Sequence, residues 1–476
     1  MDPYYHLLIT RQVADAGGLL AYEAWEYAPV GRPHLYPPAL HLLLAAVLKL
    51  TGSPLVTMRL ASALLLPALL LSLLIVMRRL LAHPTALACL LCAMVPLSFH
   101  LHASSRLAAT LGLLELLWLV DALAHRRPLA AGLLIALMCY THLGLPWIAL
   151  AMMGIAAALR AVHWQELARA SWGFALALPW WWHVVSHRSI LRPFPRLENT
   201  MIELMPLLCV VAVIGAWRCW RLKGPWRWLI AGGLSFMLLA PHYTFRWLSG
   251  EGMLAIVLLA GVGMDWAAQQ LVRVFGLRLR PAAMNMLLFV LLTVSPALIQ
   301  TPTGWRWAWG SGSPLHLVGV PSAAWRQLEV GLYSPPIERV VRTVAAQSQP
   351  GEILWSNASY ALGFIAALAH RPMSSAMRTE VVPVHAFDPI RATHLIVWFK
   401  TQPVPGMPPL ALLESQYPLT RIAEDDVAIV FRQAGERERA QAPRGVLPLA
   451  TAWALLGLVM GGIIWDLSRH TPGMPV

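Results

Sequence analysis

Residues 57–77, TMRLASALLLPALLLSLLIVM, decide the fold: one charge, Arg59, stands near the start of an otherwise apolar run that Arg78 and Arg79 close. About 20 consecutive apolar residues is the length that crosses the hydrocarbon core of a bilayer as a helix. Working outward, similar runs fall at 83–101, 107–124, 128–143, 145–160, 170–187, 203–220, 227–245, 250–268, 282–300 and 446–465, making eleven expected spans. Composition agrees, with 58% hydrophobic and 12% charged residues and a mean hydropathy of +0.59. These values place the chain among multi-spanning α-helical membrane proteins.

A net charge of +13 does not point to nucleic acid, because the basic residues sit in short clusters between apolar runs. Alternating the spans gathers Arg78 and Arg79, Arg126 and Arg127, Arg160 and Arg169, the group Arg218, Arg221, Lys223 and Arg227, then Arg273, Arg278 and Arg280, and Arg469 on one side. The positive-inside rule makes that side cytoplasmic. Residues 1–56, the loops 100–106 and 188–202, the turn near 246 and the segment 301–444 then face outward. Four regions follow: 1–56, a first external loop with interfacial helices; 57–300, a transmembrane helical domain; 301–444, an extracytoplasmic α/β domain; and 445–476, a C-terminal transmembrane helix with a short cytoplasmic tail. Within the first region PPALHLLLAAVLKL, 37–50, is too short to cross and reads as an interfacial helix. Within the third, EILWS, THLIVWF and VAIVFR are strand-like. Cys89, Cys92, Cys139, Cys209 and Cys219 lie in or beside apolar runs, so no disulfide is expected, and the C-x-x-C reads as two small core residues.

The chain opens on MDPYYHLLITRQVADAGG, an outward-facing loop with no span before it. A first transmembrane helix upstream of Asp2 is therefore expected.

This opening, together with GRPHLYPPALHLLLAAVLKLTG at 31–52, resembles the first external loop of the oligosaccharyltransferase catalytic-subunit family, the dolichyl-diphosphooligosaccharide-protein glycosyltransferases. The resemblance implies a membrane glycosyltransferase of GT-C type, with two fewer central spans than the family pattern. It implies that Asp2 helps hold a divalent metal, Mg or Mn, and that Glu203 of Thr200-Met201-Ile202-Glu203 reaches the same site. Thr200 and Glu203 equally make an ordinary helix capping box. In HYTFRWLSGEGMLAIV the resemblance assigns Arg246 to the donor phosphate. Physics supports that independently, since an arginine at an apolar helix end needs a partner and phosphate is a natural one; snorkelling to the interface is the alternative. Tyr4, Tyr5 and His6 either shape the pocket, with His6 a candidate acid/base, or anchor the chain at the membrane interface.

Two departures from the family pattern stand out. In FHLHASSRLAATLGLLELLW, Arg106 matches an arginine, but the acidic pair that follows it is absent; Glu115 offers one carboxylate, and His100 and His102 offer an alternative pair of metal ligands. In ILWSNASYALGFIAALAHRPMSSAM, Trp355 and Tyr360 remain from an acceptor-binding W-W-D-Y-G motif whose aspartate is missing. Transfer to an Asn-x-Ser/Thr sequon is accordingly in doubt.

The leading expectation is a cell-membrane glycosyltransferase, plasma or inner, moving a sugar or oligosaccharide from a polyprenyl-(di)phosphate donor to a protein, glycan or lipid acceptor on the extracytoplasmic face, with metal assistance. A second keeps the fold and uses a polyprenyl-monophosphate sugar, as protein mannosyltransferases or lipid A modifying enzymes do. A third is a non-catalytic scaffold or a transporter. No nucleic-acid partner is expected.

Overall fold

The computed structural model describes residues 2–191, 202–222, 224–241, 243–276, 279–301, 304–309, 335–377, 381–400 and 409–469. They fall into two compact units, Met1–Leu60 with Trp181–Pro195 and Pro321–Leu456, and Ala61–Trp180 with Arg196–Val320 and Gly457–Val476.

In the first unit the opening residues form a helix, Asp2–Ala16, where the sequence suggested a loop. Leu7, Leu8, Ile9 and Val13 are buried together with Tyr4, Tyr5, His6, Thr10 and Gln12, so this helix is a core element. Gly17, at φ +60, ends it in the left-handed conformation glycine adopts most readily. The apolar run 37–50 forms the helix Ala39–Thr51. The three strand-like runs all become strands: Leu354–Ser356 lies parallel to Leu395–Phe399, which pairs antiparallel with Ala428–Gln433, and that strand pairs with Leu419–Glu424. Trp355, Ile396, Leu413, Ile429 and Phe431 form the core of this sheet. Helices Pro335–Gln347, Ser359–Ala369 and Leu410–Gln416 accompany it.

The second unit is helical. Among the described residues, four helical segments are long and apolar enough to cross a membrane, Pro54–Leu80, Leu107–Ala124, Thr244–Val274 and Leu449–Ser468, and a bent pair makes a fifth. The chain is a multi-pass membrane protein. The expected span 83–101 is that pair, His83–Ala93 and Leu97–Ser105, bent by 79°. Pro96, at the start of the second helix, lacks an N–H and holds the residue before it away from helical geometry. The run at 170–187 is split among the short helices Trp164–Ala170, Trp172–Leu176 and Leu178–Ser186. The run at 282–300 is a helix, Pro281–Val294, followed by a strand, Pro296–Thr301.

Helices Pro206–Arg221 and Met253–Val274 cross at glycines: a Cβ on Gly215 would lie 1.8 Å from the Leu259 carbonyl oxygen, and one on Gly263 2.0 Å from that of Val211. Small residues at such a crossing let two backbones approach without a side chain between them. A three-stranded sheet completes the unit, with Glu203–Leu204 pairing antiparallel to Pro296–Thr301 and the latter to Gly304–Trp309.

Candidate functional site

Three segments of the second unit build a polar cluster among apolar helices. Glu203 sits in its short strand opposite Ile299, not in the helical turn a capping box would require, and is almost fully buried. Its Oε2 accepts a 2.9 Å hydrogen bond from the backbone N–H of Ser98, in the first turn of helix Leu97–Ser105. A helix N-terminus exposes unpaired N–H groups and a positive dipole end, so a carboxylate from another segment is a favourable cap. The Glu203 backbone N–H donates to Ser249 Oγ at 2.8 Å, tying this strand to the loop that follows helix Thr244–Leu248.

That loop carries the charge. Glu251 is buried, with His102 Nε2 3.4 Å from its Oε2 and Arg246 Nη1 3.6 Å from its Oε1. His102 stands one helical turn beyond Ser98, on the same face of its helix. Arg246 also lies over the Tyr243 and Phe245 rings, 5.4 and 5.8 Å from their centroids. Gly250 makes this proximity possible, because a Cβ there would fall 2.9 Å from both Arg246 Cα and His102 Cε1. His142 interacts electrostatically with Glu251, and its Nδ1 accepts hydrogen bonds from Gly144 and Leu145 N–H at 3.0 and 3.1 Å, capping helix Leu145–Ala158.

Four buried atoms of this cluster complete no hydrogen bond among the described residues: Ser98 Oγ, Glu203 Oε1, His102 Nε2 and Glu251 Oε2. Buried polar groups are almost always satisfied, so such a group of exceptions marks a place for a polar ligand or water.

The structure places the other candidates as follows. His100 and His102, two residues apart on a helix, diverge; His100 Nε2 bonds the Ala93 carbonyl at 3.1 Å across the helix bend, so the two do not form a pair of metal ligands. Glu115 is buried on helix Leu107–Ala124 with Oε1 accepting from Thr141 Oγ1 at 2.7 Å, and the structure does not join it to Glu203. Arg106 stands at the joint between Leu97–Ser105 and Leu107–Ala124. Arg246, expected to need an anionic partner, has a protein carboxylate nearby, so its position alone does not demand a phosphate.

Asp2 opens its helix in the first unit, its side chain lying outside those described, and Thr200 lies outside the described residues. Tyr4, Tyr5 and His6 are buried, which removes the reading of interfacial anchors. His6 Nδ1 is 3.0 Å from His41 Nε2, and Tyr5 packs edge-on to Tyr36. Trp355 belongs to the sheet core, a position that accounts for it without an acceptor; Tyr360 lies on helix Ser359–Ala369, its side chain likewise outside those described.

Sequence reasoning missed Glu251, Ser98, Ser249 and His142. The signal was present in Ser249-Gly250-Glu251-Gly252, a carboxylate between two glycines directly after the candidate arginine. Also missed was a buried cluster in the first unit, where Arg32 contacts Glu23 Oε2 at 2.6 Å and Glu26 Oε2 at 2.9 Å, and Glu26 Oε1 accepts from Met377 N–H at 2.7 Å.

The metal expected at Asp2 and Glu203 involves a side chain, that of Asp2, outside those described. Among the described residues no three His, Cys, Asp or Glu side chains converge to hold one. Glu203 offers a single unpartnered oxygen, and Glu251 already faces two basic side chains.

No protein-family model matches the chain, and no curated protein matches it in sequence. Solved structures do match in fold. ArnT from Cupriavidus metallidurans in the apo state aligns at a TM-score of 0.54 and 12% identity over 90% of this chain and 93% of that one. The same protein bound to undecaprenyl phosphate gives 0.53 and 14% over 93% and 95%. The archaeal oligosaccharyltransferase AglB from Archaeoglobus fulgidus, in complex with an inhibitory peptide and a dolichol-phosphate, gives 0.53 and 10% over 84% of this chain but 65% of that one, so the chain spans about two thirds of its length. These neighbours are GT-C glycosyltransferases, and theirs is the fold this chain adopts.

Proposed function

We propose that the chain is a membrane glycosyltransferase that moves a sugar from a polyprenyl-phosphate donor to an acceptor on the extracytoplasmic face of a plasma or inner membrane. The observation that carries it is the cluster of unsatisfied buried polar atoms around Ser98, Glu203, His102 and Glu251, beside Arg246, in a fold shared with such enzymes. The donor's isoprenoid tail stays in the bilayer while its phosphate meets Arg246. In the transfer, the acceptor's nucleophile attacks the anomeric carbon, the bond from that carbon to the phosphate oxygen breaks, and polyprenyl phosphate leaves with the electron pair. Arg246 stabilises the charge that develops on the departing phosphate. Glu203, with one oxygen held by Ser98 and the other unpartnered, accepts the proton the nucleophile gives up. A divalent metal held by Asp2 and Glu203 would add a Lewis acid at the departing phosphate.

Of the two donor classes we favour a single sugar on a monophosphate carrier, because the ArnT structure that this chain resembles over 93% of its length is bound to undecaprenyl phosphate. The test is a donor panel presented to the reconstituted chain, with polyprenyl-monophosphate monosaccharides and polyprenyl-diphosphate oligosaccharides side by side and EDTA as a parallel arm. Consumption of the monophosphate donors alone supports this reading. Consumption of diphosphate donors alone transfers support to the oligosaccharyltransferase reading, and consumption of neither leaves a scaffold or transporter.

A further inference from the structure

Glu251 is one of the two carboxylates of the cluster among the described residues, and its contacts are loose. Charge-assisted hydrogen bonds close to about 2.7–2.9 Å, whereas His102 stops at 3.4 Å and Arg246 at 3.6 Å from it. His102 Nε2 and Glu251 Oε2 are both buried, and neither completes a hydrogen bond among the described residues. A carboxylate that simply neutralised an arginine would be expected to close a forked, two-bond contact. Here it stands between two basic side chains from separate segments, without closing on either.

The backbone is arranged to permit this. Glycine at 250 leaves room that any side chain would take from His102 Cε1 and the Arg246 backbone, and a Cβ at Gly252 would lie 2.6 Å from the Trp247 carbonyl oxygen. Glu251 therefore sits on a loop compressed from both sides against the segment that carries Arg246. Gly252 N–H closes the turn on the Arg246 carbonyl at 2.8 Å. His102 is fixed independently, by the helix whose first turn Glu203 caps.

We propose that His102 is a second contact to the donor phosphate, and that Glu251, which faces both His102 Nε2 and Arg246 Nη1, is a positioning residue that gathers these two basic side chains at one place. This rests on the glycosyltransferase reading above and adds to it the residues that recognise the phosphate. The arrangement brings two basic side chains from two segments to one buried carboxylate, and two such donors together suit a phosphate anion.

The experiment measures the affinity of the full chain in lipid nanodiscs for undecaprenyl phosphate and for undecaprenol, which lacks only the phosphate. The wild type is expected to prefer the phosphate form. Glu251→Gln and His102→Gln are each expected to reduce that preference about tenfold, the scale of one charged hydrogen bond, with Glu251→Asp recovering part of it. Preference equal to wild type in both Glu251→Gln and His102→Gln overturns the proposal while leaving the glycosyltransferase reading intact. Absence of any preference in the wild type overturns both. Should Glu251→Gln fail to fold, His102→Gln decides alone, because its loss leaves the Glu203 cap in place: reduced preference supports the proposal and unchanged preference overturns it.

Discussion

Replacing Glu26 by glutamine should remove a pH dependence built into the first unit. Glu23, Glu26 and Arg32 are all buried, with two carboxylates facing one guanidinium. Glu26 is accordingly pushed up from 4.5 to about 7, by desolvation first and by Glu23 second, against the opposing pull of Arg32 and the Met377 N–H. An acid whose folded value lies above its unfolded one favours the protonated form in the fold. The stability it contributes is complete below about pH 4.5 and is lost as pH rises through about 7. The size of that loss is about 3 kcal/mol at 1.36 kcal/mol for each pH unit, an order-of-magnitude figure for so closely coupled a group. Glutamine keeps a carbonyl acceptor for the Met377 N–H and cannot ionise. Unfolding of the detergent-solubilised chain, followed by intrinsic fluorescence in a denaturant series at pH 5 and pH 8.5, should show the wild type markedly weaker at the higher pH and Glu26→Gln nearly level. A Glu26→Gln protein that keeps the full wild-type dependence would refute the assignment of the proton to this carboxylate.

Other outcomes follow from named contacts. Glu203→Ala leaves the buried Ser98 N–H without its acceptor and should cost about 1–3 kcal/mol in denaturant unfolding, whereas Glu203→Gln should stay close to wild type in stability while donor turnover falls by at least about a hundredfold. Gly250→Ala places a methyl group 2.9 Å from Arg246 Cα and should reduce undecaprenyl phosphate affinity while the protein remains folded by circular dichroism. Arg371, whose guanidinium donates to Ser348 Oγ and to the carbonyls of Ser348, Ala369 and His370, ties together the ends of two helices of the α/β sheet region. Arg371→Ala should lower stability by about 3 kcal/mol and leave phosphate binding unchanged.

Much of the fold was legible because its signals are long or periodic. The runs 57–77 and 107–124 read as spans from length alone, and EILWS, THLIVWF and VAIVFR read as strands from their β-branched and aromatic content. Breaks inside apolar runs were less legible. Pro96 interrupts a run that hydropathy treats as continuous, and the strand Pro296–Thr301 continues an apolar helix without a change of composition. The helix at Asp2–Ala16 was misread for the same reason, since two tyrosines and a histidine resemble a loop until tertiary packing buries them.

The site was legible only in part. Arg246 and Glu203 stood out as isolated charges beside apolar runs, but Glu251 did not, although it lies five residues from Arg246. Its role depends on His102, separated from it by most of the helical domain in sequence, and on glycines whose value lies in the space they leave empty. The pairing of Ser98 with Glu203 is equally non-local, because a helix N-terminus formed at a proline break is visible only once the chain has bent.

The central claim is tested most directly by reconstituting the chain in liposomes with a polyprenyl-monophosphate monosaccharide and measuring the release of polyprenyl phosphate over time, for the wild type and for Arg246→Ala. The account predicts steady release by the wild type and a rate at least about a hundredfold lower for the variant. Wild-type protein that releases no polyprenyl phosphate from any donor, or an Arg246→Ala variant as fast as the wild type, would contradict it.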